Sequence, residues 1–76
     1  MDFLKIDGNF VRNMTEDPVD HAIVDSINQI GHVLGLRTIA EWAETPGTLV
    51  QLRALNVDYA QGYGVGDMIS VEDFTP

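Results

Sequence analysis

The sequence predicts an α/β protein in the order strand, helix, strand, helix, strand, with three parallel strands and two main helices. Three observations carry that prediction. Short runs rich in apolar and β-branched residues begin near residues 3, 37 and 57. Asp17-Pro18 and Thr45-Pro46 each open a helical pattern between those runs. Strands that alternate with helices imply a parallel sheet with right-handed crossovers.

Each element has a local reason. Phe3-Leu4-Lys5-Ile6-Asp7 alternates bulky and polar residues before Gly8-Asn9, which reads as a short strand running into a turn. Residues 9 to 16 read as a polar connection, with Phe10, Val11 and Met14 its only large apolar groups. Asp17 is the expected N-cap and Pro18 the first helical residue, where the missing proline N–H costs nothing. Val19, Ile23, Ile27, Ile30 and Leu34 then recur at helical spacing and form the expected buried stripe. Gly31 inside the helix weakens it, and Gly35 suits the position just past its end. His21 and His32 lie off the stripe and are expected on a solvated face, with no partner that suggests a metal.

Arg37 to Glu41 is the second strand. Thr45-Pro46 starts a shorter helix carrying Leu49, Leu52 and Leu55, and Asn56, which tolerates the left-handed conformation, ends it. Val57 to Gln61 is the third strand, closed by Gly62. The tail from Tyr63 is glycine-rich and then acidic, with at most a vestigial helix over Val71 to Phe74.

Composition narrows the function classes. The 76 residues make a single domain at most, and the lack of cysteine excludes disulfides and thiolate zinc sites. No apolar run approaches the roughly 20 residues a membrane helix needs, and the first residues do not resemble a secretion signal. The expectation is a soluble, cytoplasmic chain. A formal charge of −8 argues against a nucleic-acid polymer as partner. A small phosphorylated ligand remains compatible, because a divalent cation can stand between carboxylate and phosphate.

The chemistry gathers at the strand ends. Lys5 and Asp7 close the first strand, Glu41 the second and Gln61 the third. Ligands of parallel α/β sheets bind at the carboxyl ends of the strands. Side chains alternate along a strand, so if the helices cover Leu4, Ile6, Thr38 and Ala40, then Lys5, Asp7 and Glu41 point to the other face. A cation, two carboxylates and an amide at one mouth suit Mg²⁺ or Mn²⁺ binding or activation of a water by a general base. On spacing alone, the same residues also read as ordinary polar strand ends entering solvent.

The stretches Asp2-Phe3-Leu4-Lys5-Ile6-Asp7-Gly8, Ile39-Ala40-Glu41-Trp42-Ala43-Glu44 and Gln61-Gly62-Tyr63 resemble, in order and separation, three successive signatures of the EAL domain. The resemblance implies a partial (β/α) barrel, corresponding to the C-terminal third of a barrel that hydrolyses cyclic di-GMP with two divalent metal ions, Mg or Mn. It also implies residue roles. Lys5 matches the lysine near the attacking water, and Glu41 the glutamate acting as general base close to metal. Asp7 matches a supporting acid, Glu44 the second acid of its motif, and Gln61 a glutamine near the ligand. Asp7 and Glu41 would be metal ligands only if the full site were completed.

The sequence lacks the glutamate of the E-A-L signature, the asparagine and glutamate that follow it, and the paired aspartates of the D-D-F-G loop. It also carries Trp42 and Ala43 where the family usually has glycine and valine. The tryptophan either obstructs the cleft, packs beside it or offers a stacking face. Gly64-Val65-Gly66 after the third motif is not followed by a capped helix, so a dinucleotide-binding loop is rejected. The expectation is therefore a C-terminal fragment or remnant of a cyclic di-GMP phosphodiesterase, non-catalytic alone. The alternative is a regulatory module that binds cyclic di-GMP or complements another EAL-type chain. Phe3, Ile39, Val57 and Tyr59 would face water on a lone monomer, which predicts a homo-oligomer, most simply a dimer, formed through the open sheet face and edges.

Overall fold

A computed structural model describes residues 2–62 and 68–74. Its elements are β1 (Phe3–Ile6), α1 (Gly8–Val11), α2 (Pro18–Val33), β2 (Arg37–Ala40), α3 (Pro46–Ala54), β3 (Tyr59–Ala60) and β4 (Ile69–Ser70), followed by a 3₁₀ turn over Val71–Asp73. The sheet order is β1-β2-β3-β4. β1 and β3 pair parallel to β2, as the sequence predicts. β4 adds an unexpected antiparallel strand against β3. At two residues it is too short to leave an alternating pattern in the sequence.

The caps form as read. Asp17 accepts a hydrogen bond from Val19 N–H, and Thr45 Oγ1 accepts one from Thr48 N–H. The connection after β1 is more ordered than expected. Asp7 Oδ1 accepts the Asn9 N–H at 2.9 Å and starts the short helix α1. Gly35 and Asn56 both have positive φ, 77° and 64°, and end α2 and α3 in the left-handed conformation.

The buried face of α2 is not the apolar stripe. Val24, Asn28 and Gly31 are buried, while Val19, Ile30 and Leu34 are 65%, 56% and 67% exposed. The reason is close packing on the sheet. A Cβ on Gly31 would come within 2.8 Å of Thr38 Cγ2 and 3.0 Å of Leu4 Cδ2. The glycine that weakens the helix locally is what lets it approach the strands. The stripe is rotated aside, so that Ile23 and Ile27 are half-buried, Ile27 against the core, and Val19, Ile30 and Leu34 are left exposed.

Ile6, Ala40 and Ala60 on the helix side of the sheet join Val11, Met14, Val24, Ala43, Leu49, Leu52, Val57 and Val71 in one core. Fully burying a side chain such as Leu49 or Leu52 contributes roughly 1.5–3 kcal/mol. Val57 is a correction to the expected open face. It precedes the shortened β3 and turns into this core, 3% exposed. Ile39 corrects it too. Its 5% exposure follows from the rings of Phe3 and Tyr59, which meet edge-to-face at 5.9 Å between centroids across β2. Arg37 Nη1 adds a hydrogen bond to the Tyr59 hydroxyl at 3.2 Å. Phe3 and Tyr59 thus screen their neighbour but remain partly exposed themselves.

At the amino ends of β2 and β3 a polar network ties helix to sheet. The Thr38 hydroxyl donates to Asn28 Oδ1. Asn28 Nδ2 donates to the Leu55 carbonyl at 2.8 Å. Asp58 Oδ2 accepts from Thr38 N–H and from His32 Nε2, both at 2.8 Å. His32 is therefore exposed, as expected, and hydrogen-bonded to Asp58. Burial opposes ionisation of Asp58, but the hydrogen bonds from the Thr38 N–H and His32 outweigh it and hold the carboxyl below its usual pKa.

Candidate functional site

The opposite rim carries the candidate residues. In the parallel register Ile6 pairs with Ala40, and Ala40 with Ala60. One residue further on, Asp7, Glu41 and Gln61 stand level at the carboxyl ends of adjacent strands. The backbone continues the ladder there. Glu41 N–H donates to the Ile6 carbonyl at 3.1 Å and Gln61 N–H to the Ala40 carbonyl at 2.9 Å. Lys5 pairs with Ile39, on the sheet face away from α2, because Leu4 and Thr38 occupy the face packed on Gly31.

The side chains are available to solvent. Lys5, Asp7 and Glu44 are exposed, and Glu41 and Gln61 are half-buried. Among the described residues the single ion pair is His32–Asp58, so Lys5 is not neutralised by either neighbouring carboxylate. Asp7 divides its duties, since one of its oxygens caps α1. Glu44 sits apart, in the loop that leads to the Thr45 cap. Lys5, Asp7, Glu41 and Gln61 are thus brought to one rim, and Glu44 is not placed among them.

Trp42 turns over α1 from the end of β2. Its φ is +58°, a left-handed conformation that bulky residues disfavour. A Cβ on Gly8 would collide with Trp42 Cδ2 and Cγ, so the indole rests directly on the Gly8 backbone. The Arg12 guanidinium carbon is 5.2 Å from the ring centroid, a cation–π contact. Gly62, with φ +105°, passes under the Trp42 backbone, where a Cβ would be 3.1 Å from Trp42 Cα. Arg12 drew no notice in the sequence. Its signal is its position four residues after Gly8, on the same face of one helical turn. Tyr63 and the Gly64-Val65-Gly66 stretch lie outside the described residues.

The donor set does not fit a pair of divalent ions. Among the described residues no three His, Asp or Glu side chains gather closely enough to hold a metal, and one Asp7 oxygen is already engaged by the Asn9 N–H. Clefts among the described residues include two toward the amino rim. One of about 300 Å³ is lined by residues of the amino rim, including Arg37, Arg53, Asp58 and Glu72. No described helix is long and apolar enough to cross a membrane.

Comparison with known proteins assigns the arrangement. The EAL domain model matches residues 1–67. The chain belongs to the EAL domain family. It is 41% identical over 66 residues to the cyclic di-GMP phosphodiesterase PdeB of Shewanella oneidensis, covering 87% of this chain and 8% of that protein. It is 37% identical over 65 residues to the cyclic di-GMP phosphodiesterase PdeF of Escherichia coli K12, covering 86% of this chain and 9% of the other. The solved EAL enzyme Bd1971, in its cAMP-bound form, superposes with a TM-score of 0.81 at 32% identity, over 95% of this chain and 20% of that one. The same enzyme has been solved with cAMP and cyclic di-GMP bound. The 76 residues thus span a small part of each of these relatives, and the parallel β1-β2-β3 unit is a partial barrel of EAL type.

Proposed function

We infer that this chain supplies one part of a cyclic di-GMP phosphodiesterase site and does not hydrolyse the ligand alone. The observation that carries the reading is the level alignment of Asp7, Glu41 and Gln61 beside Lys5, on residues that match the EAL motifs. In this reading Glu41 takes a proton from the attacking water, Lys5 steadies charge that develops on phosphate, and Gln61 contacts the ligand. Asp7 and Glu41 serve as metal ligands only when another segment or chain adds the remaining donors. Two-metal hydrolysis needs both ions clamped together, and this donor set does not do that.

The test is hydrolysis of cyclic di-GMP by the 76-residue chain with Mg²⁺ or Mn²⁺. The expected result is no turnover above a Glu41→Ala control. Turnover that the substitution abolishes would overturn the reading.

A second reading, a module that binds cyclic di-GMP or completes another EAL-type chain, is favoured by one observation. Lys5 and Arg12 are cations without carboxylate partners among the described residues, in a chain of formal charge −8. Calorimetry distinguishes the two. A micromolar, metal-dependent affinity lost in Gln61→Ala would favour the module.

Self-association belongs to the same proposal. It is supported by the open edge of β1 and by the exposed Phe3, Val19, Ile30 and Leu34. Light scattering at low micromolar concentration is expected to give a dimer or larger species, and a folded monomer would overturn it.

A further inference from the structure

We propose that Trp42 and Arg12 form a purine-recognising subsite at the carboxyl rim, which takes a guanine base of a cyclic dinucleotide. The proposal rests on the second reading above, in which the chain binds cyclic di-GMP, and adds a place and a mode for its base.

Trp42 follows Glu41 in sequence, and its backbone crosses Gly62, the residue after Gln61. It therefore stands within the rim and not beside it. The Ala43 N–H donates to the Gln61 carbonyl at 2.8 Å, which fixes that crossing. The backbone is held at φ +58°, where glycine would carry no steric cost. Strain of this kind persists only where the surroundings enforce it, and it clusters at ligand sites. Here the indole is seated on Gly8 with no room for a Cβ between them.

Packing alone accounts poorly for the residue, because Trp42 is still 46% exposed. An indole held rigidly with part of its surface in water is a stacking platform for a nucleobase. Arg12 supplies the selectivity. Its guanidinium lies 5.2 Å from the ring centroid and has no carboxylate partner among the described residues. A planar pair of N–H donors matches the O6 and N7 acceptors of guanine, whereas adenine presents a donor at the first of those positions. Lys5, on the open sheet face of the neighbouring strand, leaves a second cation for phosphate.

The chain contains one tryptophan, so its emission reports on Trp42 alone. The experiment titrates the 76-residue protein with cyclic di-GMP and with cyclic di-AMP, following heat and tryptophan fluorescence together. Saturable quenching by cyclic di-GMP at the calorimetric midpoint is expected. Trp42→Ala should weaken binding about tenfold, by the usual contribution of one stacked base. Trp42→Phe, which keeps an aromatic face, should retain most of the affinity. Arg12→Ala, at an exposed position, should remove the preference for guanine over adenine. Circular dichroism confirms that each variant is folded.

Heat without a change in emission, unchanged affinity in folded Trp42→Ala, or an unchanged preference for guanine in folded Arg12→Ala overturns the subsite and leaves Lys5, Glu41 and Gln61 as the ligand site. Absence of heat with either dinucleotide at millimolar concentration overturns the subsite together with the ligand reading.

Discussion

The two rims of one small sheet hold polar residues in opposite ways. At the amino rim Asn28, His32, Thr38 and Asp58 bond one another and the backbone, joining α2, β2 and the entry to β3. At the carboxyl rim Lys5, Glu41 and Gln61 make no side-chain hydrogen bond with the other described residues, and the backbone beside them is held in left-handed conformations at Trp42 and Gly62. Satisfied, partly buried polar groups stabilise a fold, because breaking one leaves its partner unpaired. Unsatisfied solvent-facing groups contribute little to stability and are free to meet a ligand. In α/β barrels generally the amino-end face serves stability, and the bonded amino rim of this sheet is arranged in that way.

The amino rim is most vulnerable at Asn28. It is 1% exposed and holds both the Leu55 carbonyl and the Thr38 hydroxyl. Asn28→Ala strands both and opens a cavity, at a cost of about 3 kcal/mol. That is comparable to the whole margin of roughly 3–5 kcal/mol expected for so small a core. Urea unfolding should find the variant only marginally stable in water, with its midpoint far below that of wild type, and a variant as stable as wild type would show that the network is ornamental. Gly31→Ala comes next. Alanine favours a helix by about 1 kcal/mol over glycine. Its Cβ would nonetheless press on Thr38 and Leu4, and overpacking costs about 1–3 kcal/mol. Net destabilisation is expected, and a raised melting temperature would disprove the tight α2–sheet contact.

A smaller effect tests the carboxyl rim. Gly8→Ala should destabilise by about 1–2 kcal/mol because its Cβ meets the indole. In a Trp42→Gly background the same change should be nearly neutral, so a double-mutant cycle is expected to show coupling of at least about 1 kcal/mol. Additive effects would mean that the two residues do not touch.

Much of this was legible from the residues, for physical reasons that differ by element. Asp17-Pro18 and Thr45-Pro46 announce helices because capping and the proline ring act locally. Gly35 and Asn56 mark helix ends because few residues adopt positive φ. The shared rim of Lys5, Asp7, Glu41 and Gln61 follows from parallel strands with a period of two. What escaped is long-range. His32 and Asp58 are 26 positions apart, and nothing local predicts that they meet. The stripe of Val19, Ile23, Ile27, Ile30 and Leu34 is buried only in part, because hydrophobic periodicity reports an apolar face, whereas Gly31 and Asn28 decide which face approaches the sheet. Trp42 was open between obstruction, packing and stacking, since a sequence position fixes neither φ nor the direction of a ring.

Acid sharpens the contrast between the rims. The Asp58 pKa in the folded protein lies below its value in the unfolded chain, which is about 3.9 for an ordinary aspartate. A lowered folded pKa means that the unfolded state binds the proton first. The stabilisation is therefore fully present above the unfolded value and is lost as pH falls through the folded one. Asp58→Asn should remove that part of the acid dependence, so that the melting temperatures of wild type and variant converge as pH falls through the lowered folded-state pKa.

The smallest effect is expected from Glu41→Gln and Lys5→Met. Neither side chain is hydrogen-bonded to the other described residues, and surface changes of this kind stay within about 0.5 kcal/mol. Unfolding midpoints of both variants should match wild type at neutral pH, while Asn28→Ala falls far below. A large loss of stability in Glu41→Gln would mean that its carboxylate is part of the scaffold. The carboxyl rim would then be held together like the amino rim, and its polar side chains would no longer be free for a ligand.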